Sequence, residues 1–323
     1  MITSPFLVAR DRYERAIEGW VDNTHDDAFT HTVAVSDDDR SIELSAVCTP
    51  SPGYEVREAR ARVLAGPADS AIVDGLGRLS GTRMVAGFSK RLADLCGPTP
   101  GAGLFVDAGI EVARLARQVT RLPAEATAGL EPGDARRCWQ LDTTGWVDLP
   151  NSCFTYSEAG RALLGTRPVT TPMTPALYSP PPGARRIFVR KKRSRLVLTA
   201  RRLHLFHSMH DNVHGFDLHY ELDLDSGTIV AADSITSRLP YQGICTEPQR
   251  KVTAMIGQLA DASLRKRMQA LLGGEAGCAQ LYDLTADLLK LITFPALPIN
   301  PLHPAISWAG DESAQKTGAM PSS

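Results

Sequence analysis

The chain is short of aromatic residues, 6 % of the total, and carries no excess of either charge, with 35 lysines and arginines against 36 aspartates and glutamates. A net charge of -1 offers phosphate backbones and anionic membranes no attraction, so neither nucleic acid nor a membrane is an expected partner. No window approaches the roughly 18 to 20 apolar residues that span a bilayer, and the start, MITSPFLVARDRYER, has no apolar core of signal-peptide length. The expectation is a soluble cytoplasmic protein. There is no CxxC pair. The six cysteines (Cys48, Cys96, Cys138, Cys153, Cys245 and Cys278) are neither dense nor regularly spaced, which fits buried small residues or single ligands better than disulfides. GxSxG and GK[ST] are missing too, and the glycines of AGPADSAIVDGLGRLSG follow no strand. Serine hydrolase, kinase and dinucleotide-binding readings therefore lack their parts.

What is present is 323 residues, enough for two ordinary domains. Residues 123–184 are rich in proline, glycine and threonine and sustain no period. They read as a linker with packed anchors such as Trp139 and Trp146. Residues 296–323 read as a polar, proline-marked, flexible tail.

The flanks at 8–122 and 185–295 resemble each other. FDLHYELDLDSGTIVAADSIT alternates, turns at Asp225-Ser226-Gly227 and resumes with β-branched residues, as a hairpin does. AFTHTVAVSDDDRSIELSAV follows the same course. Asp22-Asn23-Thr24-His25 then falls against Asp211-Asn212-Val213-His214, and KRLADLCG (from Lys90) against KRMQALLG (from Lys266). The prediction is α+β: two tandem units, each an antiparallel three-stranded sheet followed by helices, packed as a pseudo-dimer.

In the second flank Cys245 precedes the helical stretch EPQRKVTAMIG and Cys278 opens the last helix. Both stand where backbone N–H groups favour thiolate. With His214 they form one imidazole and two soft sulfurs, a set suited to zinc or iron. The matching positions of the first flank are His25, Tyr54 and Ala102, so a site belongs to the second flank. His204, His207, His210 and His219 read as ordinary polar positions. Cys48, Cys96, Cys138 and Cys153 read as inert. The basic run Arg185 to Arg195 reads as a solvated strand end, with an anionic-ligand patch as the alternative.

The order of HGFDLHYELDLDSGTIVAADSI, then IC and then GC, each before a helix, resembles the NifU/IscU-type iron-sulfur scaffold proteins. His214, Cys245 and Cys278 fall on ligand positions of that layout, and Gly277 stands where the scaffold has a histidine. VHGFDLHYELDLDSGTI, GIC and GCAQL are more closely similar to a bacterial family of unknown function with a closing GCTHL-type motif, in which Gln280 replaces the histidine.

The leading expectation is a metal-dependent enzyme of lyase, hydratase, isomerase or hydrolase type acting on a small organic substrate. His214, Cys245 and Cys278 would hold one zinc or iron ion, leaving an open fourth position that activates water or a carbonyl. Gln280 would bind substrate and Glu275 would act as general base. An iron-sulfur or sulfur carrier, holding a cluster instead, is the first alternative, and a non-catalytic binding module the second. A homo-oligomer is compatible with each.

Overall fold

The computed structural model describes residues 6–8, 11–67, 70–97, 101–261, 263–289, 291–292 and 306–308. In chain order the elements are β1 (Phe6–Val8), β2 (Arg12–Asp22), β3 (Phe29–Asp37), β4 (Ser41–Cys48) and β5 (Val56–Ala65). The helices α1 (Ser70–Gly75), α2 (Phe88–Cys96), α3 (Ala102–Leu115), α4 (Ala124–Thr127), α5 (Ala135–Gly145) and α6 (Glu158–Leu163) come next. Then follow β6 (Phe188–Thr199), β7 (Arg202–Asp211), β8 (Gly215–Asp223) and β9 (Ile229–Arg238), and finally α7 (Thr246–Gln249), α8 (Leu264–Leu272), α9 (Ala279–Leu289) and β10 (Ile306–Trp308).

The class is α+β, built on one eight-stranded antiparallel sheet of order β5-β4-β3-β2-β6-β7-β8-β9. Two four-stranded meanders meet edge to edge where β2 runs against β6, from Arg12↔Val197 to Val21↔Phe188. This differs from two separate three-stranded sheets. Within the sheet, the strands that sequence reading missed are β5 and β6, whose charges fall on both faces (VREARARVLA and FVRKKRSRLVLT) and so hide the apolar period. A separate two-stranded pair joins β1 to β10. The latter falls within the predicted tail; the remainder of residues 296–323 lies outside the described residues.

Counting outward from the β2–β6 seam, His25 lies in the first turn of its half and His214 in the second. Tyr54 precedes the fourth strand of its half, whereas Cys245 follows the fourth strand of the other. The proposed matches of His25 to His214 and of Tyr54 to Cys245 therefore slip by one strand. A period of two permits this slip, since every alternating strand looks alike.

Strand alternation sorts the side chains. Ile42, Leu44 and Ala46 of β4 and Phe216, Leu218 and Tyr220 of β8 are buried toward the helices. Lys191, Arg193, His210 and Asp217 are exposed on the other face. Helix α3 packs on β2, β3 and β4, and α9 on β7. The close approach of α3 needs Gly19, where a Cβ would stand 2.7 Å from Leu115 Cδ1. Among the described residues no helix is long and apolar enough to cross a membrane.

The basic run is not wholly solvated. Its inward members, Arg190 and Lys192, are buried in an ion network that joins the sheet to both long helices. Lys192 Nζ donates to Glu111 Oε2 at 3.0 Å and to Asp287 Oδ2 at 2.5 Å, and Arg114 also reaches Asp287 at 2.5 Å. Arg190 donates to Asp211 Oδ2 at 2.8 Å and to Glu111 Oε1 at 3.3 Å. Burial would raise the Glu111 carboxyl, but Lys192, Arg190 and Arg114 hold it down at about 2. Residues 123–184 are likewise more than a linker. They carry α4 to α6 and bury Trp146, Tyr178 and Asp142 against the second half.

Candidate active site

The turn between β7 and β8 is set by Asp211. Its Oδ1 accepts the backbone N–H groups of Val213 (2.7 Å) and His214 (2.6 Å), and Asp211 N donates to His214 O at 2.8 Å. Such an Asx turn is what an aspartate three residues before the turn's end encodes. The same carboxylate then meets the ring it has positioned, His214 Nδ1 lying 3.2 Å from each Asp211 oxygen. Burial pushes the Asp211 carboxyl up, but the His214 imidazole, the Arg190 guanidinium and the turn's N–H groups outweigh it and hold it well below the usual carboxylate range. An ionised Asp211 fixes the tautomer with hydrogen on Nδ1, leaving Nε2 for the adjoining cavity.

That cavity, of about 120 Å³, brings together His214, Cys245, Cys278 and Gln280. Its apolar walls include Trp146, Met173, Leu177, Phe216 and Leu239. Sequence reading missed Cys153, Asp142 and Tyr156, which also line it, all from the segment read as a linker. Asp142, on the inner face of α5, accepts hydroxyl hydrogen bonds from Tyr178 (2.9 Å), Tyr156 (2.7 Å) and Tyr241. Burial nevertheless raises its carboxyl to about 6, against the three hydroxyls that lower it. The indole Nε1–H of Trp146 is buried and finds no acceptor among the described residues.

Two expectations are corrected here. Glu275 sits exposed in the α8–α9 loop and takes no part in the cavity wall, so it is not placed to act as a base. Nor do the helix starts ionise the thiols. Burial pushes the Cys278 thiol up to about 11 and the Cys245 thiol higher still, because desolvation of a thiolate outweighs the few N–H groups nearby. Cys245 Sγ instead lies 2.8 Å from Thr155 Oγ1, and Cys278 Sγ accepts the Leu281 N–H at 3.4 Å. Gly277 occupies a place no histidine fits, since a Cβ there would stand 2.1 Å from Leu272 O.

As donors, a carboxylate-backed imidazole and three sulfurs suit a soft metal ion. Their spacing does not gather them. Among the described residues one set of three His, Cys, Asp or Glu ligand atoms lies mutually within 4.8 Å, and it is His204, His219 and Glu221 on the opposite sheet face.

Residues 196–293 match the model of a protein family of unknown function, DUF2889. The matched stretch contains His214, Cys245, Cys278 and Gln280, while Asp142, Trp146 and Cys153 lie outside it. No curated protein and no solved structure matches the chain.

Proposed function

We propose that the protein is an enzyme that moves a proton on a small, largely apolar organic substrate bound in this cavity, with chemistry of the isomerase, lyase or hydratase kind. The observation that carries the reading is the Asp211–His214 pair beside a largely apolar cavity. His214 Nε2 acts as the base, and the ionised Asp211 stabilises the imidazolium formed when Nε2 takes the proton. The Trp146 indole N–H and the Gln280 amide are donors for a carbonyl or carboxylate oxygen. Asp142, held in its tyrosine cage with a carboxyl raised to about 6, is a second candidate acid in the cavity wall.

The test screens small keto- and unsaturated carboxylates by thermal shift, then follows bound compounds by NMR in deuterated water. Solvent deuterium entering the substrate in wild type but not in His214→Asn supports the reading. Ligands that bind without exchange or turnover would replace it with a binding module.

A second reading places a mononuclear zinc or iron ion, or an iron-sulfur cluster, among His214, Cys245 and Cys278 with Cys153. Asp211 on the far nitrogen of His214 favours it, as this is how metal-binding histidines are commonly held. Metal and acid-labile sulfide analysis of anaerobically purified protein distinguishes the three. The matching connectivity of the two meanders supports duplication of one ancestral unit, although the seam places the copies in one sheet.

A further inference from the structure

The outer face of the sheet, remote from the His214 cavity, presents a second constellation. β7 places Leu203 and Leu205 inward and His204 outward, and β8 does the same with Leu218, Tyr220 and Leu222 against His219 and Glu221. Register fixes their relation: His204 is directly opposite Glu221, and His219 is two residues before Glu221 on the same face. His204 Nδ1 lies 3.4 Å from His219 Nε2 and 3.4 Å from Glu221 Oε1, and His219 Nε2 lies 3.9 Å from Glu221 Oε1. Donor atoms bonded at about 2.1 Å to one ion with tetrahedral angles stand about 3.4 Å apart, so the triangle is of the size one ion requires. The three side chains are 24 %, 26 % and 30 % exposed, which leaves a solvent-facing position for a further ligand.

The other nitrogen of His219, Nδ1, faces the exposed Asp233 Oδ2 at 3.7 Å from the neighbouring strand β9, an ion-pair distance longer than a hydrogen bond. The ring is also held by packing, stacked on Phe206 at 4.7 Å and parallel to His204 within 5°. Two strands thus hold two imidazole nitrogens and a carboxylate oxygen within 4 Å of one another, the two rings sharing a hydrogen bond that an ion would replace.

We propose that this face binds one divalent transition-metal ion of the zinc class through His204 Nδ1, His219 Nε2 and Glu221 Oε1, with the fourth position open. Two imidazoles and one carboxylate suit zinc, cobalt(II) or nickel(II) better than magnesium or calcium, which prefer all-oxygen sites.

The test is calorimetric titration of untagged, full-length protein with zinc chloride. A His204→Ala, His219→Ala double variant, altered at partly exposed positions, is expected to keep the wild-type melting temperature and to bind one zinc fewer. In a Cys245→Ser, Cys278→Ser chain this zinc binding is retained, which separates it from any ion in the cavity. Equal zinc stoichiometry in wild type and the double-histidine variant overturns the proposal, as does loss of all zinc binding with the two cysteines.

Discussion

His214 Nδ1 stands 3.2 Å from both carboxylate oxygens of Asp211, and Asp211 is in turn gripped by Arg190 from the neighbouring strand β6. The imidazole is therefore oriented by a residue that is itself held by the ion network beneath the sheet.

Asp211→Asn keeps the turn's acceptor oxygen but removes the charge that steadies an imidazolium. Turnover is expected to fall about 100-fold or more with substrate affinity little changed. The separate kcat and KM of the variant check this, and an unchanged kcat removes His214 from the role of base.

Glu111 pairs with Arg190, Lys192 and Arg114 at once. Glu111→Leu takes one carboxylate from these buried cations, which keep Asp211 and Asp287, and is expected to cost about 3 kcal/mol of stability in urea unfolding. Removing the exposed pair Lys90–Asp94 is expected to cost well under 1 kcal/mol in the same measurement.

Two buried groups oppose each other as pH falls: the Asp142 carboxyl, raised to about 6 by burial, takes its proton first in the folded chain and adds stability between pH 6 and 4, while His31 removes it. Burial pushes the His31 imidazole down to about 4, so the unfolded chain, titrating near 6.5, binds the proton first. The His31 contribution is full above 6.5 and is lost as pH falls toward 4, by about 3 kcal/mol. Glu111 acts lower, its contribution being full above its usual 4.5 and lost as pH falls toward about 2. Melting temperature against pH checks this, with His31→Leu expected to unmask a rise in stability between pH 6 and 4 that a further Asp142→Asn removes.

Thiol reactivity separates the readings of the cavity. With burial pushing both Cys245 and Cys278 upward, iodoacetamide at pH 8 is expected to label them slowly in the native protein and quickly after denaturation. Rapid native labelling of either, by mass spectrometry of peptides, would mean an activated thiolate.

Gly277→Ala sets a methyl group against Leu272 O and strains the turn whose carbonyl accepts the Phe154 N–H. A loss of about 1–3 kcal/mol in unfolding free energy is expected, with disturbed binding at the adjoining Cys278.

The sequence made hairpins and terminal helices legible through alternation and through turns such as Asp225-Ser226-Gly227. It also singled out His214, Cys245, Cys278 and Gln280, which share one cavity. Position in the chain carried that far because each sits at an element boundary. It did not reach Asp142, Trp146 and Cys153, whose surroundings lack period and acquire meaning only when folded against the second half. The inward Arg190 and Lys192 were hidden for a related reason. Charge ordinarily marks the solvated side of a strand, and only the acids of α3 and α9, distant in sequence, reverse that rule.

The β2–β6 seam has a further meaning for any chain that holds one half alone. Parted from β2, β6 would offer a row of ten unmatched backbone positions along an otherwise finished sheet. Such a border recruits whatever strand fits it, and the best fit at hand is the border of an identical molecule, turned to run the opposite way. A solitary half would thus be prone to association, and carrying both meanders on one polypeptide makes that meeting independent of concentration.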